Sequence, residues 1–321
     1  MKHLKVIVTE PVDPAGLALL AESTDLHYLP DRPGARLPDV ITGASALGVR
    51  LAPVTAELMD MAPHLRVIAK HGVGVDNIDV EAATERNIVV VSTPRANAVS
   101  VAEHIVSLML CLANRVCAAD ADLKSGTFRT REDYVGVELQ GKVMGLVGLG
   151  RIGREAARIC RAGFEMKVVA YDPLLPRDTF DLAGVTQATT LDGLLSESDF
   201  VALCVPLSDA TRNMIGVREL ALMKPTSFLI NTARGGLVDE GALYRALRSG
   251  VLAGAAADAF VREPPSRDNP LLTLDNFIAT PHVGGATREA MRRMSLDMAD
   301  EIVRVLSGAR PQFPVNPEVY K

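Results

Sequence analysis

The chain opens on a short apolar run, Lys5 to Thr9, and then alternates between brief apolar stretches and segments whose apolar residues recur every three or four positions. Short apolar runs bounded by turn residues read as buried strands, and the longer period reads as amphipathic helix. In the first hundred residues this predicts strands at Lys5 to Thr9, near Leu26, at Ala46 to Leu51, Leu65 to Ala69 and Ile88 to Val91, with helices starting at Pro14, Thr55 and Asp79. Val99 to Ala121 reads as one long, largely apolar helix, interrupted by Glu103, His104, Asn114 and Arg115. Further on, strands are expected at Val143 to Val147, Lys167 to Tyr171, Phe200 to Val205, Ser227 to Asn231, Leu252 to Ala257 and Asn276 to Ala279, with helices at Arg151 to Arg161 and from Asp239. Met291, Met294, Met298, Ile302 and Val305 lie at helical spacing between Thr287 and Leu306, and Gly308 and Pro311 end that helix. This methionine stripe reads as core. Strands that alternate with helices, and are apolar throughout, imply parallel sheets covered on both faces, an α/β protein.

One stretch carries chemistry of its own. In GLVGLGRIGREAARIC, residues 145 to 160, Gly148, Gly150 and Gly153 follow a strand and open a helix, and the next strand ends on Asp172. This is the dinucleotide-binding arrangement. The first glycine permits the tight turn, the second lets backbone approach a pyrophosphate, and the third lets helix pack on strand, while helix N–H groups face the phosphates. Asp172 can accept from ribose hydroxyls and repels a 2′-phosphate, so NAD is the expected cofactor. The nearest basic residue beyond it, Arg177, is separated from it by two prolines.

Composition narrows the class. The 321 residues suit about two domains, and a net charge of −5 with interspersed signs offers no basic face for nucleic acid or an anionic membrane. The N-terminal apolar run meets Glu10 and Pro11 well short of a signal sequence or membrane span, so a cytoplasmic protein is expected. Cys111, Cys117, Cys160 and Cys204 have no metal-ligand spacing and lie in apolar patterns, so they read as reduced core residues and no metal is expected.

The segments HGVGVDNID (71 to 79), GLGRIG, CVPLSDATRNMI (204 to 215), LINTARGGLVDEGAL (229 to 243), ADAFVREPP (257 to 265) and TPHVGGATREA (280 to 290) occur in this order. With them, from the first strand to the final VNP, the sequence resembles the D-isomer-specific 2-hydroxyacid dehydrogenase family. The resemblance implies two doubly wound parallel-sheet domains, a Rossmann-type cofactor domain (99–286) inserted into a flavodoxin-like substrate domain (1–98 and 287–321). A cleft between such domains would be a natural place for closure over substrate.

Reduction of a 2-oxo acid needs a cation for the carboxylate, a proton donor for the carbonyl oxygen and a hydride from nicotinamide. The family's Arg, Glu and His fall on Arg234 in NTARGG, Glu263 in REPP and His282 in TPHVGG. Arg234 would hold the carboxylate, His282 would carry the proton, and Glu263 would hydrogen-bond and orient the imidazole. The same resemblance assigns the cofactor to Gly148, Gly150, Arg151, Ile152, Gly153, Asp172, Pro206, Thr232, Ala233, Arg234, Asp258, His282 and Gly284. For Asp258, capping of local N–H groups is the alternative reading. On the substrate side, Gly72, Val73 and Gly74 would offer backbone N–H groups to the carboxylate. Arg50, Lys70, His71 and Arg95 are expected near a polar or anionic tail, which points to hydroxypyruvate or phosphohydroxypyruvate; the resemblance adds glyoxylate, which has no such tail. A homodimer is expected, with the helix from Val99 at its interface, and no appended regulatory domain. The competing function is an NAD(H)-sensing interaction protein of the corepressor type found in the same family.

Overall fold

The computed structural model describes residues 2–320. The chain divides into two compact units, one made of Met1–Asn97 and Gly285–Lys321, the other of Ala98–Gly284.

In the first unit five parallel strands, β1 (Lys5–Val8), β2 (Asp25–Tyr28), β3 (Ala44–Val49), β4 (Val67–Lys70) and β5 (Val89–Val91), run in the order β2-β1-β3-β4-β5. This is the flavodoxin-like strand order. Side chains alternate across it: Ile7, Leu47, Ile68 and Val90 enter one apolar cluster, while Val6, Val8, Ala46, Val67 and Val89 enter another. The second cluster is closed by Met298, Ile302 and Val305 of the helix Arg288–Leu306; Met294 is buried in a smaller cluster with Ala96 and Ala290, and Met291 packs half-buried against it. Thr287 caps that helix by accepting from Ala290 N–H. The chain end is tied back by buried Asn316, which accepts from Val90 N–H and donates to the Ile88 carbonyl.

The second unit holds seven parallel strands, β6 (Val143–Val147), β7 (Lys167–Tyr171), β8 (Thr186–Gln187), β9 (Phe200–Leu203), β10 (Phe228–Asn231), β11 (Gly254–Ala257) and β12 (Phe277–Ala279), in the order β12-β11-β10-β9-β6-β7-β8. The first strand, β6, lies between β9 and β7, and the order reverses between β6 and β9, which makes the crevice beyond their carboxyl ends the place where such sheets take ligands. Met144, Leu146, Val168, Phe200 and Ile230 pack on one face with the helices Ala98–Ala113 and Arg151–Phe164; Val147, Val201, Leu203 and Leu229 pack on the other. Continuous apolar runs arise because both faces are covered.

Three expectations are corrected. The long helix from Val99 is two helices, Ala98–Ala113 and Val116–Lys124, bent by 64° at Asn114 and Arg115. Arg115 adopts the left-handed conformation at φ 54°, which ends the i to i+4 ladder although the apolar pattern runs on. The short elements Arg177–Ala183, Thr186–Gln187, Leu191–Glu197 and Val217–Leu222 were not anticipated, because each buries too few side chains to impose a period. Cys117 is exposed on the Val116–Lys124 helix, outside the core; Cys160 is buried, and burial pushes its thiol up to about 12. Among the described residues no single helix is long and apolar enough to cross a membrane.

Candidate active site

The candidate residues of the second unit follow the carboxyl ends of six strands: Gly148 after β6, Asp172 after β7, Pro206 beyond β9, Thr232 after β10, Asp258 after β11 and His282 beyond β12. Parallel strands that all point one way bring residues from six distant places in the chain to one edge.

At the glycine turn each position has its own physical reason. Gly148 sits at φ 98°, and a Cβ there would lie 2.8 Å from the Cys204 carbonyl oxygen. At Gly153 a Cβ would lie 2.4 Å from the Gly148 carbonyl oxygen, so helix and turn touch through bare backbone. Gly150 differs: beyond its own chain neighbours, nothing lies within 4 Å of where its Cβ would be. It precedes the helix Arg151–Phe164, whose first turn has no side-chain cap and no acidic residue. An uncapped helix start beside open space fits an anionic pyrophosphate. Arg151 and Ile152 open that helix. Asp172 is bound into the same turn, its Oδ2 accepting from Leu149 N–H at 3.0 Å and its Oδ1 from Leu174 N–H at 3.1 Å. A carboxylate has about four acceptor positions, so it keeps capacity for ribose hydroxyls. These residues fit a dinucleotide.

Glu263 and His282 meet. The imidazole Nδ1 lies 2.8 Å and 3.0 Å from the two carboxylate oxygens, with side-chain exposures of 38% for Glu263 and 41% for His282. Glu263 Oε1 also accepts from Phe260 N–H at 3.0 Å. Burial pushes the Glu263 carboxyl up, but the hydrogen bonds from His282 and Phe260 and the charges of His282 and Arg234 outweigh it, leaving it below its ordinary value. With Nδ1 given to the carboxylate, Nε2 is the ring nitrogen that can exchange a proton with a ligand. Arg234 stands at the end of an Asx turn built by Asn231, which accepts from Ala233 N–H and donates to the Arg234 carbonyl. The turn fits only glycine next, since a Cβ on Gly235 would overlap the Phe260 carbonyl carbon.

Asp258 is buried, at 1% exposure, and its carboxylate is spent on the loop that carries His282. It accepts from Thr280 Oγ1 (2.6 Å), Val283 N–H (2.8 Å) and Gly284 N–H (2.8 Å), and His104 Nε2 lies 3.4 Å away. Burial raises its pKa, yet the hydrogen bonds from His104, Thr280, Val283 and Gly284 bring it down to about 2. The geometry is that of the capping alternative. His104, Thr280 and Asn231 escaped sequence reading; the only signal was a polar residue where an apolar period or a strand end left one unexplained.

In the first unit the basic residues are disposed differently from expectation. Lys70 and His71, at 8% and 4% exposure, are turned into the protein. Lys70 Nζ donates to the Arg50 carbonyl and to Asn77 Oδ1, and Asn77 donates in turn to the Ala52 carbonyl. His71 Nε2 lies 3.3 Å from the Met291 carbonyl, and burial together with the Arg50 charge lowers its pKa to about 4, so it is neutral at pH 7. Arg50 donates from its guanidinium to the Pro11 carbonyl, while its N–H and those of Leu51 and Ala52 are taken by Glu10. Glu10, which sequence reading missed, shapes this loop. Gly72, at φ 144°, is linked to Thr93 in both directions, with Val73 and Gly74 following it in the same loop. Arg95 stacks its guanidinium 4.9 Å from the Phe313 ring, in a cavity of about 270 Å³ that Arg293, Asp297, Asp300 and Glu301 also line.

Residues 106–284 match the model of the D-isomer specific 2-hydroxyacid dehydrogenase NAD binding domain. The chain is 42% identical over 314 residues to a D-3-phosphoglycerate dehydrogenase of Methanocaldococcus jannaschii, covering 98% of this chain and 59% of that protein. It is 40% identical over 310 residues to a hydroxypyruvate reductase of Thermotoga maritima, covering 95% and 99%. The crystal structure of an NADPH-dependent glyoxylate/hydroxypyruvate reductase from Sinorhizobium meliloti superposes with a TM-score of 0.86 at 30% identity, covering 98% of each chain. The chain therefore belongs to the D-isomer-specific 2-hydroxyacid dehydrogenases, a family of NAD(P)-dependent enzymes. It spans 59% or less of the length of the phosphoglycerate dehydrogenases it matches.

Proposed function

We propose that this protein is an NAD-dependent dehydrogenase that interconverts a short, polar D-2-hydroxy acid and its 2-oxo acid. The observation that carries the reading is the Glu263–His282 pair, with the Arg234 charge close enough to act on Glu263. Arg234 has the planar fork that matches a carboxylate. His282, held through Nδ1, donates from Nε2 to the carbonyl oxygen during reduction and takes that proton back from the hydroxyl during oxidation. Glu263 fixes the ring and stays anionic while the proton moves. The dinucleotide, held at Gly148–Gly153 and Asp172, would supply or accept the hydride at C2. Pro206, Thr232 and Ala233 line the same strand ends and would flank it.

NAD is preferred over NADP in this reading because the Asp172 carboxylate after β7 would accept from ribose hydroxyls and repel a 2′-phosphate. The relatives named for NADPH show that the family tolerates both. Among the substrates in the relatives' names, hydroxypyruvate and glyoxylate rank ahead of phosphohydroxypyruvate. The support is the inward turn of Lys70 and the neutrality of His71, which withdraw two of the four expected cations from a phosphate tail. A homodimer is part of the proposal, and its interface moves. The Ala98–Ala113 helix spends Ile105, Met109 and Leu112 on its own core, whereas Val116, Leu123, Phe128, Val135 and Val137 are exposed.

NADH oxidation by the purified protein, followed with glyoxylate, hydroxypyruvate, phosphohydroxypyruvate and 2-oxoisocaproate, tests this. Turnover with hydroxypyruvate or glyoxylate is expected. NADH binding with no turnover on any of the four would replace the enzyme by a nucleotide-sensing protein, and a preference for NADPH or for 2-oxoisocaproate would overturn the cofactor or substrate assignment.

A further inference from the structure

We propose that His104 is a positioning residue for the His282 loop, acting through the Thr280 hydroxyl and the buried carboxylate of Asp258. The inference rests on the reading of His282 as the proton carrier. Three successive amides, those of His282, Val283 and Gly284, are all held by Asp258: the first by its backbone carbonyl at 2.8 Å, the other two by its carboxylate oxygens at 2.8 Å. His282 itself is left-handed, at φ 55°. A residue with a side chain stays in that conformation only where its surroundings hold it. The position of the imidazole against Glu263 therefore depends on Asp258 keeping its place.

Hydrogen-bond directions extend the chain outward. An ionised carboxylate only accepts, so the 2.6 Å contact between Thr280 and Asp258 is donated by the Thr280 hydroxyl. That hydroxyl has one proton. The 3.1 Å contact between His104 Nε2 and Thr280 Oγ1 must then be donated by His104, which fixes the tautomer that carries its proton on Nε2. His104 thus aims the Thr280 proton at Asp258, and its ring also backs the loop, its Cδ2 lying 3.4 Å from where a Cβ on Gly284 would sit. If His104 loses the Nε2 proton, the Thr280 hydroxyl is free to turn toward it and away from Asp258.

The test uses His104→Leu, His104→Gln, Thr280→Val and the His104→Leu/Thr280→Val double variant, with two readouts: steady-state reduction of hydroxypyruvate and hydrogen exchange at the Val283 and Gly284 amides. His104→Leu and Thr280→Val are each expected to lower kcat roughly tenfold, the loss associated with one hydrogen bond. KM for hydroxypyruvate should move by less than about threefold, because the carboxylate contact is untouched. The double variant should lose less than the product of the two single losses, since both changes cut the Thr280 link while His104 also lies 3.4 Å from Asp258. His104→Gln keeps a donor and should restore most of the rate. Exchange at Val283 and Gly284 should quicken in step with the loss of kcat. Wild-type kcat and protected amides in His104→Leu, or losses that multiply in the double variant, overturn the inference. Should His104→Leu not fold, Thr280→Val and His104→Gln decide by the same measures. If the wild type shows no turnover, the proposed reaction fails and the exchange data alone decide the network.

Discussion

At the level of single residues His282 and His71 are used in opposite ways. His282 is half-exposed and held by a carboxylate, so its proton can move; removing it in His282→Ala is expected to lower kcat about 10²–10⁴-fold while NADH affinity stays within about twofold, checked by single-turnover reduction and NADH fluorescence. His71 is buried and kept neutral, and this links stability to pH. Its folded pKa of about 4 lies below its ordinary 6.5, so between those values the unfolded chain binds the proton and the folded chain does not. The stabilisation is complete above about pH 6.5 and is lost as pH falls through about 4. The shift corresponds to about 3 kcal/mol. Urea unfolding from about pH 7.5 to 4 should show that decline in the wild type, and His71→Gln should flatten it. An identical decline in both proteins would show that His71 does not titrate as described. Asp258, with its pKa near 2, adds a loss of the same sign only below about pH 4.

At the level of elements, the glycine turn shows what a motif specifies. Gly148 and Gly153 are required by backbone contacts inside the protein, whereas Gly150 faces open space. Substitutions at these positions should therefore differ in kind. Gly150→Asp should fold with a melting temperature within about 2 °C of wild type, because its Cβ meets nothing, yet raise the Kd for NADH more than about tenfold by placing a carboxylate at the phosphate position. Unchanged NADH affinity would remove the dinucleotide from this turn. The helices beside the turn show the limit of periodicity. Apolar residues resume at Val116 after Asn114 and Arg115, and the left-handed backbone at Arg115 separates a core helix from an exposed one.

For the whole molecule, the exposed apolar residues between Val116 and Val137 form a concentration that a solitary chain would present to water, with Phe128 86% exposed. Such patches mark association sites. Light scattering at micromolar concentration should give twice the 34.3 kDa chain mass, and Phe128→Glu should shift the balance toward single chains. A single-chain mass for the wild type would refute the dimer.

The sequence by itself determined the α/β class, the parallel strands and the family, because each is written in local spacing or in short ordered motifs; the glycine turn with Asp172 could be read there as a motif, and Arg234, Glu263 and His282 could be named there only as what the resemblance implies. Only the tertiary structure decided the distances at which Glu263 meets the imidazole, that Asp258 holds the His282 loop, and that Lys70 and His71 turn inward. It also decided that His104, 176 positions from Thr280, reaches that loop. The physical reason is that hydrogen bonds within these networks span residues far apart in sequence. Burial of a charged or polar side chain depends on what the folded chain brings around it, which residue type and spacing do not encode.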